Sequence, residues 1–445
     1  MIHDTPIKIW ISNEGVDLIT SDGELKEMVT ILGGEFYRTL INEAVNDRVV
    51  SIDAKICEKD PKELRTIREG QGENEGQGGA LREILGRALG LEEEKVMAIN
   101  FPYKIPLSSP SSINRARSHG SRMGDHGIEW SAEPNSTNLF LQIIENPDGT
   151  ITRPFVPQIP PSDLIDGAAV RSRDIPLNPS SKTSLRQYLP SSSLQKLPII
   201  LFFHGGGFIL FNSSSAPYHF FCEQMAQSLS ALVLSLDYRL APDHRLPAAY
   251  DDSLDAILWL QAQAAAADSS ARDPWLASHA DFDRFFIAGS SSGANMAFHA
   301  AIRIADLDLQ PLKIAGVLLN QPYLGGEERT KSEDDSENDV ILPLRASDMM
   351  WRLALPLGAD RDHEYSNPAA AMCVSKISKI RARCLIKGRR GDPLIDRQRQ
   401  FVKVMEAAGV RVVVQLDEEG IHAIEIFDPA AAEAFFVDVK EFINA

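Results

Sequence analysis

Cysteine is scarce in this sequence. Four residues, Cys57, Cys222, Cys373 and Cys384, stand far apart among 445, with no CxxC spacing. That excludes a disulfide framework and a cysteine zinc site. Long apolar runs are missing as well. The longest, Leu197–Phe203, stops at His204 and three glycines, far short of the ~20 residues a membrane-spanning helix needs. The first ten residues, MIHDTPIKIW, carry no basic patch followed by an apolar stretch, so no signal peptide is read and a cytoplasmic location is expected. Positive charge is in deficit: 45 Lys and Arg against 62 Asp and Glu leave a formal charge of −17. Such a surface repels phosphate backbones and anionic lipid, so neither nucleic acid nor membrane is expected as a partner. Arg115, Arg117 and Arg122 are too sparse to change that. No glycine-rich phosphate loop ending in Lys-Ser/Thr is present, and no histidines have metal-ligand spacing. Neither a cofactor nor a metal is therefore expected. Apolar material is plentiful at 44%, enough for a sizeable core, and a soluble enzyme is the favoured class.

The chain divides unevenly. Residues 1–67 pair a short alternating piece at 7–11 with a mixed, helix-compatible stretch at 25–56, and read as an N-terminal extension of unknown fold. Residues 68–134 read as low-complexity linker. They include EGQGENEGQGGA at 69–80 and one short helical pattern, LREILGRAL at 81–89. From about residue 135 the character changes. NLFLQII (138–144), PIILFF (198–203), ALVLSL (231–236), RFFIAG (284–289), IAGVLL (314–319), CLIKG (384–388) and VRVVVQL (410–416) read as strands. Helix-type stretches such as SLDAILWLQAQAAAA and DRQRQFVKVMEAAG lie between several of them. Short apolar strands alternating with helices predict an α/β domain, with a mainly parallel sheet covered on both faces, over 135–445.

Chemistry-bearing residues fall at the ends of these strands. Gly289-Ser290-Ser291-Ser292-Gly293 follows RFFIA and precedes an Ala-rich helical stretch. This is the strand–turn–helix setting of a G-x-S-x-G nucleophile elbow, with Ser291 in the middle. His204-Gly205-Gly206-Gly207-Phe208 closes PIILFF, and its glycines allow backbone N–H groups to approach an oxyanion unobstructed. A serine nucleophile needs a base, and the base needs an orienting carboxylate. Asp392 lies just after CLIKG and His422 just after VRVVVQL. The order Ser, Asp, His is that of α/β hydrolases. Asp396 competes for the role of acid but reads as a helix N-cap. SEDDSEND at 332–339 lacks a calcium loop's glycine and reads as a solvated loop. His299 reads as packing.

These motifs resemble the hormone-sensitive-lipase-like branch of the α/β hydrolases, and within it the plant carboxylesterases. The likeness runs colinearly over about 310 residues, through LQIIENPDGTITR, FFHGGGF, DYRLAPDHRLPAAYDD, GSSSGAN, LLNQPYLGGEERTKSE, LGADRDHEYSNP, GDPLIDRQ and GIHAIEIF. It implies Ser291 as nucleophile, His422 as base and Asp392 as acid. The backbone N–H groups of Gly206, Gly207 and Ser292 would be the oxyanion donors. His204, Gly205, Gly289, Gly293 and the DYRLAP segment would be structural support. A helical cap from about 135–165 and 323–365 is implied, made apolar by Met349, Met350, Trp351, Leu353 and Leu355. The expected partner is a small-molecule ester with a small to medium acyl group or an aromatic alcohol, and the expected state is a monomer or weak homo-oligomer. Two similar groups are not simple esterases: gibberellin receptors lack the catalytic histidine, and isoflavanone dehydratases carry threonine for the serine. Here Ser291 and His422 are both present, which favours hydrolysis over a receptor or a dehydratase. Ser290 stands where many relatives have Asp, Asp243 where Glu is usual, and the first 134 residues have no counterpart.

Overall fold

In the computed structural model, the described residues are 133, 136, 138–162, 168–191 and 196–445, with four short strands upstream. Chain contacts divide the protein into a unit of Met1–Glu129 and one of Trp130–Ala445. In the first, Lys8–Ser12 pairs antiparallel with Gly15–Ile19, and Lys55–Ile56 with Ile99–Asn100. The alternating piece at 7–11 overlaps the first of these strands. The linker at 69–80, the helix at 81–89 and the arginines at 115–122 lie outside the described residues.

The second unit is built on one eight-stranded sheet. Its strands are β1 (Val170–Asn178), β2 (Thr183–Pro190), β3 (Leu197–Phe203), β4 (Leu232–Asp237), β5 (Ala280–Ser290), β6 (Ile314–Asn320), β7 (Arg383–Arg389) and β8 (Val412–Glu418). The spatial order is β1-β2-β4-β3-β5-β6-β7-β8. From β4 to β8 all neighbours are parallel, while β1 and β2 are antiparallel to what they meet. The central strands are apolar without interruption because both faces are covered. On β3, Ile199, Leu201 and Phe203 join one core with α2 (Ala248–Ala265), α3 (Ser292–Arg303) and α5 (Ile395–Ala407). Ile200 and Phe202 face the other way, into a core with α1 (Ala216–Leu229) and α6 (Pro429–Asn444), where Phe221, Phe435 and Phe436 cluster. β5 repeats the split, with Phe285 and Ile287 on one side and Phe286 and Ala288 on the other. Each such isoleucine, leucine or phenylalanine stabilises the fold by about 1.5–3 kcal/mol. No helix among the described residues is long and apolar enough to cross a membrane.

One strand expected from the sequence is absent, and one hairpin is present that the sequence did not announce. NLFLQII is not a strand: Phe140–Gln142 is a 3-10 turn, and only Ile144–Glu145 is extended. Asn138 Oδ1 accepts the Phe140 and Leu141 N–H groups at 2.9 and 3.3 Å, and this side-chain cap bends the chain. Conversely, the hairpin β1–β2 has no apolar signature, because charged residues interrupt it. Buried Arg186 forms a two-pronged pair with Asp174 at 2.6 and 2.7 Å and donates to the Ile159 carbonyl at 2.6 Å, so its burial is compensated.

Residues 138–162 are tied to the insertion at 323–365. Asn138 Nδ2 donates to the carbonyls of Val340 and Ile341 at 2.9 and 3.1 Å, and Arg352 pairs with Glu145. Within the insertion α4 (Leu344–Ala354) buries Met349, Met350, Trp351 and Leu353, and Leu355 just beyond it is buried too. The Trp351 ring stacks on Tyr323 at 4.4 Å.

Candidate active site

Ser291 sits in the turn between β5 and α3 with φ 55° and ψ −120°. A non-glycine residue in this region stores about 1–3 kcal/mol of strain, and the surroundings hold it there. Its N–H donates to the Asn320 carbonyl at 2.9 Å, and its carbonyl accepts from Ala294, Asn295 and Tyr323 at 3.0–3.1 Å. The flanking glycines are dictated by close approach. A Cβ on Gly289 would lie 2.0 Å from the Gly293 carbonyl oxygen, and one on Gly293 would lie 1.9 Å from that of Phe203. Those contacts are with backbone, which cannot swing away, so alanine fits at neither position. α3 starts at Ser292, and its partly positive N-terminus therefore points at the serine.

Asp392 lies in the turn between β7 and α5, and His422 lies just past β8. β7 and β8 are neighbours, with β6 between them and β5, and the three side chains form one row. His422 Nε2 is 2.9 Å from Ser291 Oγ, and His422 Nδ1 is 3.0 Å from Asp392 Oδ2. All three are buried, and Ser291 keeps the most exposure at 7%. The Asp392 carboxylate is fully satisfied. Oδ1 accepts the Leu394 N–H at 2.9 Å, and Oδ2 accepts Gln398 Nε2 at 2.8 Å and Gln321 Nε2 at 3.0 Å besides the imidazole. Burial alone lowers the pKa of His422. The Asp392 carboxylate, helped by Glu425 and Asp339, outweighs it, and the imidazole ends above its ordinary 6.5.

The glycine loop after β3 packs against this row. A Cβ on Gly205 would meet the Tyr218 hydroxyl at 2.4 Å and Ser291 Cβ at 3.1 Å. Gly206 and Gly207 have φ 112° and 62°, and the Gly206 carbonyl accepts from Ile209 and Leu210 at 3.0 Å. Among the described residues, the N–H groups of Gly206, Gly207 and Ser292 have no hydrogen-bond acceptor. Met350 of α4 covers Gly207 so closely that a Cβ there would be 2.0 Å from its sulfur. His204 is fully buried, with Nδ1 2.7 Å from the Gly205 carbonyl and its ring stacked on Tyr238 at 4.2 Å. Burial pushes it down to about 4, so it is neutral and braces the loop. The Tyr238 hydroxyl donates to the His204 carbonyl at 2.9 Å, which is the contribution of the DYRLAP segment.

Two other residues or segments differ from expectation. Asp396 does not cap its helix: it lies in the first turn of α5, accepts the Ser332 N–H at 3.1 Å and pairs with Arg399. The acidic run at 332–339 is only partly a solvated loop. Lys331–Asp334 is a helical turn with a Thr330/Glu333 capping box, and Glu333 is buried against Arg397 at 2.9 and 3.0 Å. His299 packs as expected, buried between Tyr250 and Tyr365 at ring distances of 4.5 and 5.4 Å. Sequence reasoning missed Gln321, Gln398, Asn320 and Glu425. Of these, Gln321 and Asn320 fall inside LLNQPYLGG, at a strand end like the others, and that position was the available signal.

Comparison with known proteins adds independent observations. A family model described as the alpha/beta hydrolase fold matches residues 200–426. Probable carboxylesterase 8 of Arabidopsis thaliana is 43% identical over 312 residues, covering 69% of this chain and 93% of the relative. 3-O-acetylpapaveroxine carboxylesterase CXE1 of Papaver somniferum is 44% identical over 314 residues, covering 68% and 96%. Among solved structures, a hyperthermophilic esterase from Pyrobaculum calidifontis superposes with a TM-score of 0.52 at 25% identity, over 62% of this chain and 84% of the other.

Proposed function

Because this chain belongs to the plant carboxylesterases of the α/β-hydrolase fold and is an ester-hydrolysing enzyme, we propose that Ser291, His422 and Asp392 carry the reaction by two-step acyl transfer. The carrying observation is the imidazole of His422 poised between Ser291 Oγ at 2.9 Å and Asp392 Oδ2 at 3.0 Å. Ser291 Oγ attacks the ester carbonyl while His422 Nε2 takes its proton. Asp392 holds the Nδ1–H tautomer and stabilises the imidazolium that forms. The carbonyl oxygen becomes an anion facing the free N–H groups of Gly206, Gly207 and Ser292. Each donor lowers the barrier by about 3–4 kcal/mol, and the α3 N-terminus adds to their field. The imidazolium protonates the leaving alcohol. Water, deprotonated by His422, then cleaves the acyl-enzyme and returns Ser291 to its starting state.

The segments 135–165 and 323–365 act in this reading as a cap over the site. Met350 sets an apolar side chain against Gly207, and the buried rings of Phe208, Tyr323 and Trp351 pack together beside that loop and the insertion, which supports a small to medium acyl group or an aromatic alcohol. The relatives of Papaver somniferum are named for an O-acetyl ester, which supports the short end of that range.

A fluorophosphonate probe tests the nucleophile. The wild-type protein is expected to be labelled on Ser291, and p-nitrophenyl acetate is expected to yield acetate and the phenol. A protein that binds but never labels would be a receptor, and a product lacking the acid would be a dehydratase's. The pH profile gives a second check. His422 acts as base only when neutral, and its pKa lies above 6.5 in the folded protein. Hydrolysis is therefore present at higher pH and is lost as pH falls through that raised value. The acid limb of kcat/KM should have its midpoint above 6.5; a midpoint below it would contradict the pairing of His422 with Asp392.

A further inference from the structure

We infer that Gln321 is a positioning residue that sets the placement of Asp392 and His422 relative to each other, an inference that rests on the triad reading above. Gln321 follows β6, the strand lying between β5, which leads to Ser291, and β7, which leads to Asp392. Its backbone is in the left-handed region at φ 44°, and its N–H donates to the Lys387 carbonyl of β7 at 2.8 Å. The side chain is buried at 1% exposure and uses both ends of its amide. Nε2 donates to Asp392 Oδ2 at 3.0 Å and to the Ile421 carbonyl at 3.2 Å, while Oε1 accepts the Ala423 N–H at 2.8 Å. One amide thus touches the acid and both residues flanking the base.

Asn320, the preceding residue, completes the arrangement. Its carbonyl accepts the Ser291 N–H at 2.9 Å, and its Nδ2 donates to Ser290 Oγ at 2.7 Å and to Glu425. The dipeptide Asn320-Gln321 is therefore bonded to the nucleophile's turn, to the acid, and to the loop carrying the base. Nothing but a primary amide of this length can donate to a carboxylate and a carbonyl while accepting from an N–H. A buried glutamine needed only to fill space would be replaceable by methionine or leucine. Here either one strands the Ala423 N–H and the Ile421 carbonyl, and removes a donor from Asp392.

The charges facing His422 are Asp392 from the β7–α5 turn, Glu425 from the helical turn after His422 itself, and Asp339 from the 323–365 insertion; Arg389 at the end of β7 faces Glu425. Gln321 is neutral among them, and this allows a test that separates positioning from bulk stability. In full-length protein, Gln321→Ala is expected to lower kcat for p-nitrophenyl acetate by about 100-fold with KM little changed, the scale of a small misplacement of reacting groups. Fluorophosphonate labelling should slow in parallel. Gln321→Glu keeps the shape and the acceptor for Ala423 but turns a carboxyl oxygen toward Asp392 Oδ2, where the amide donor stood at 3.0 Å. The two acids and His422 then titrate as one coupled group with added negative charge. That charge stabilises the imidazolium, so the acid limb of kcat/KM should move to higher pH as kcat falls. Should Gln321→Ala lose its cooperative unfolding transition, Gln321→Glu decides alone. A folded Gln321→Ala with wild-type kcat, or a Gln321→Glu whose kcat and acid limb match wild type, overturns the inference. The triad reading fails separately, if the wild-type protein is not labelled on Ser291 at all.

Discussion

Replacing Ser291 with alanine should reduce kcat for p-nitrophenyl acetate by about six orders of magnitude, the loss found when a triad serine is removed from an otherwise complete site. The fold should survive. Alanine accepts the same φ 55° as serine at the same strain, and the hydrogen bonds that hold the turn all use the backbone of residue 291. The lost contact is that of Oγ with His422 Nε2 at 2.9 Å, and a buried imidazole nitrogen left without its partner costs about 1–3 kcal/mol. Thermal unfolding should therefore shift by a few degrees while turnover disappears. A residue of activity over the uncatalysed reaction, about a thousandfold, should remain, because the proposed oxyanion donors, the N–H groups of Gly206, Gly207 and Ser292, do not depend on the Ser291 side chain. Turnover unchanged in this variant would remove Ser291 from the mechanism.

That the serine is legible in the sequence has a local cause. Ser291 directly follows a strand, Asp392 and His422 stand in the short turns after theirs, and the glycines beside Ser291 are required by contacts with neighbouring backbone. Strand, turn and glycine are all short-range signals, and so were the central strands themselves, whose unbroken apolar runs follow from burial on both faces. What escaped depends on partners distant in sequence. Gln321 meets Asp392 across 71 residues, and Glu333 meets Arg397 across 64. Neither residue type announces burial on its own. β1 and β2 escaped for the same reason: Arg186 reads as a surface residue until Asp174 and the Ile159 carbonyl are seen around it. At 138–144 the difference runs the other way, because the apolar run that reads as a strand opens on an asparagine that caps a turn.

Asparagine at position 392 should cost about four orders of magnitude in kcat, the size of this change in other Ser-His-Asp sites. Asp392 Oδ2 accepts three donors, Gln321 Nε2, Gln398 Nε2 and His422 Nδ1, at 3.0, 2.8 and 3.0 Å, while Oδ1 accepts the Leu394 N–H at 2.9 Å. An amide has one acceptor oxygen for these four. With its nitrogen toward His422, two glutamine donors lose their acceptor and Nδ1 must itself accept. The ring proton then sits on Nε2, aimed at Ser291, and the base is gone. With its nitrogen toward Leu394, the productive tautomer survives, but a buried N–H is stranded at about 1–3 kcal/mol and no carboxylate answers the imidazolium. Both orientations leave burial unopposed by the Asp392 charge, so His422 drops below its wild-type pKa. Whatever turnover remains should therefore show its acid limb at lower pH than wild type, opposite to the shift expected for Gln321→Glu. A merely destabilised enzyme would lose amplitude at every pH without moving the limb. Wild-type turnover in Asp392→Asn would show that the base is held by something other than this carboxylate. Opposite displacements in the two variants would instead place Gln321 and Asp392 around one titrating imidazole.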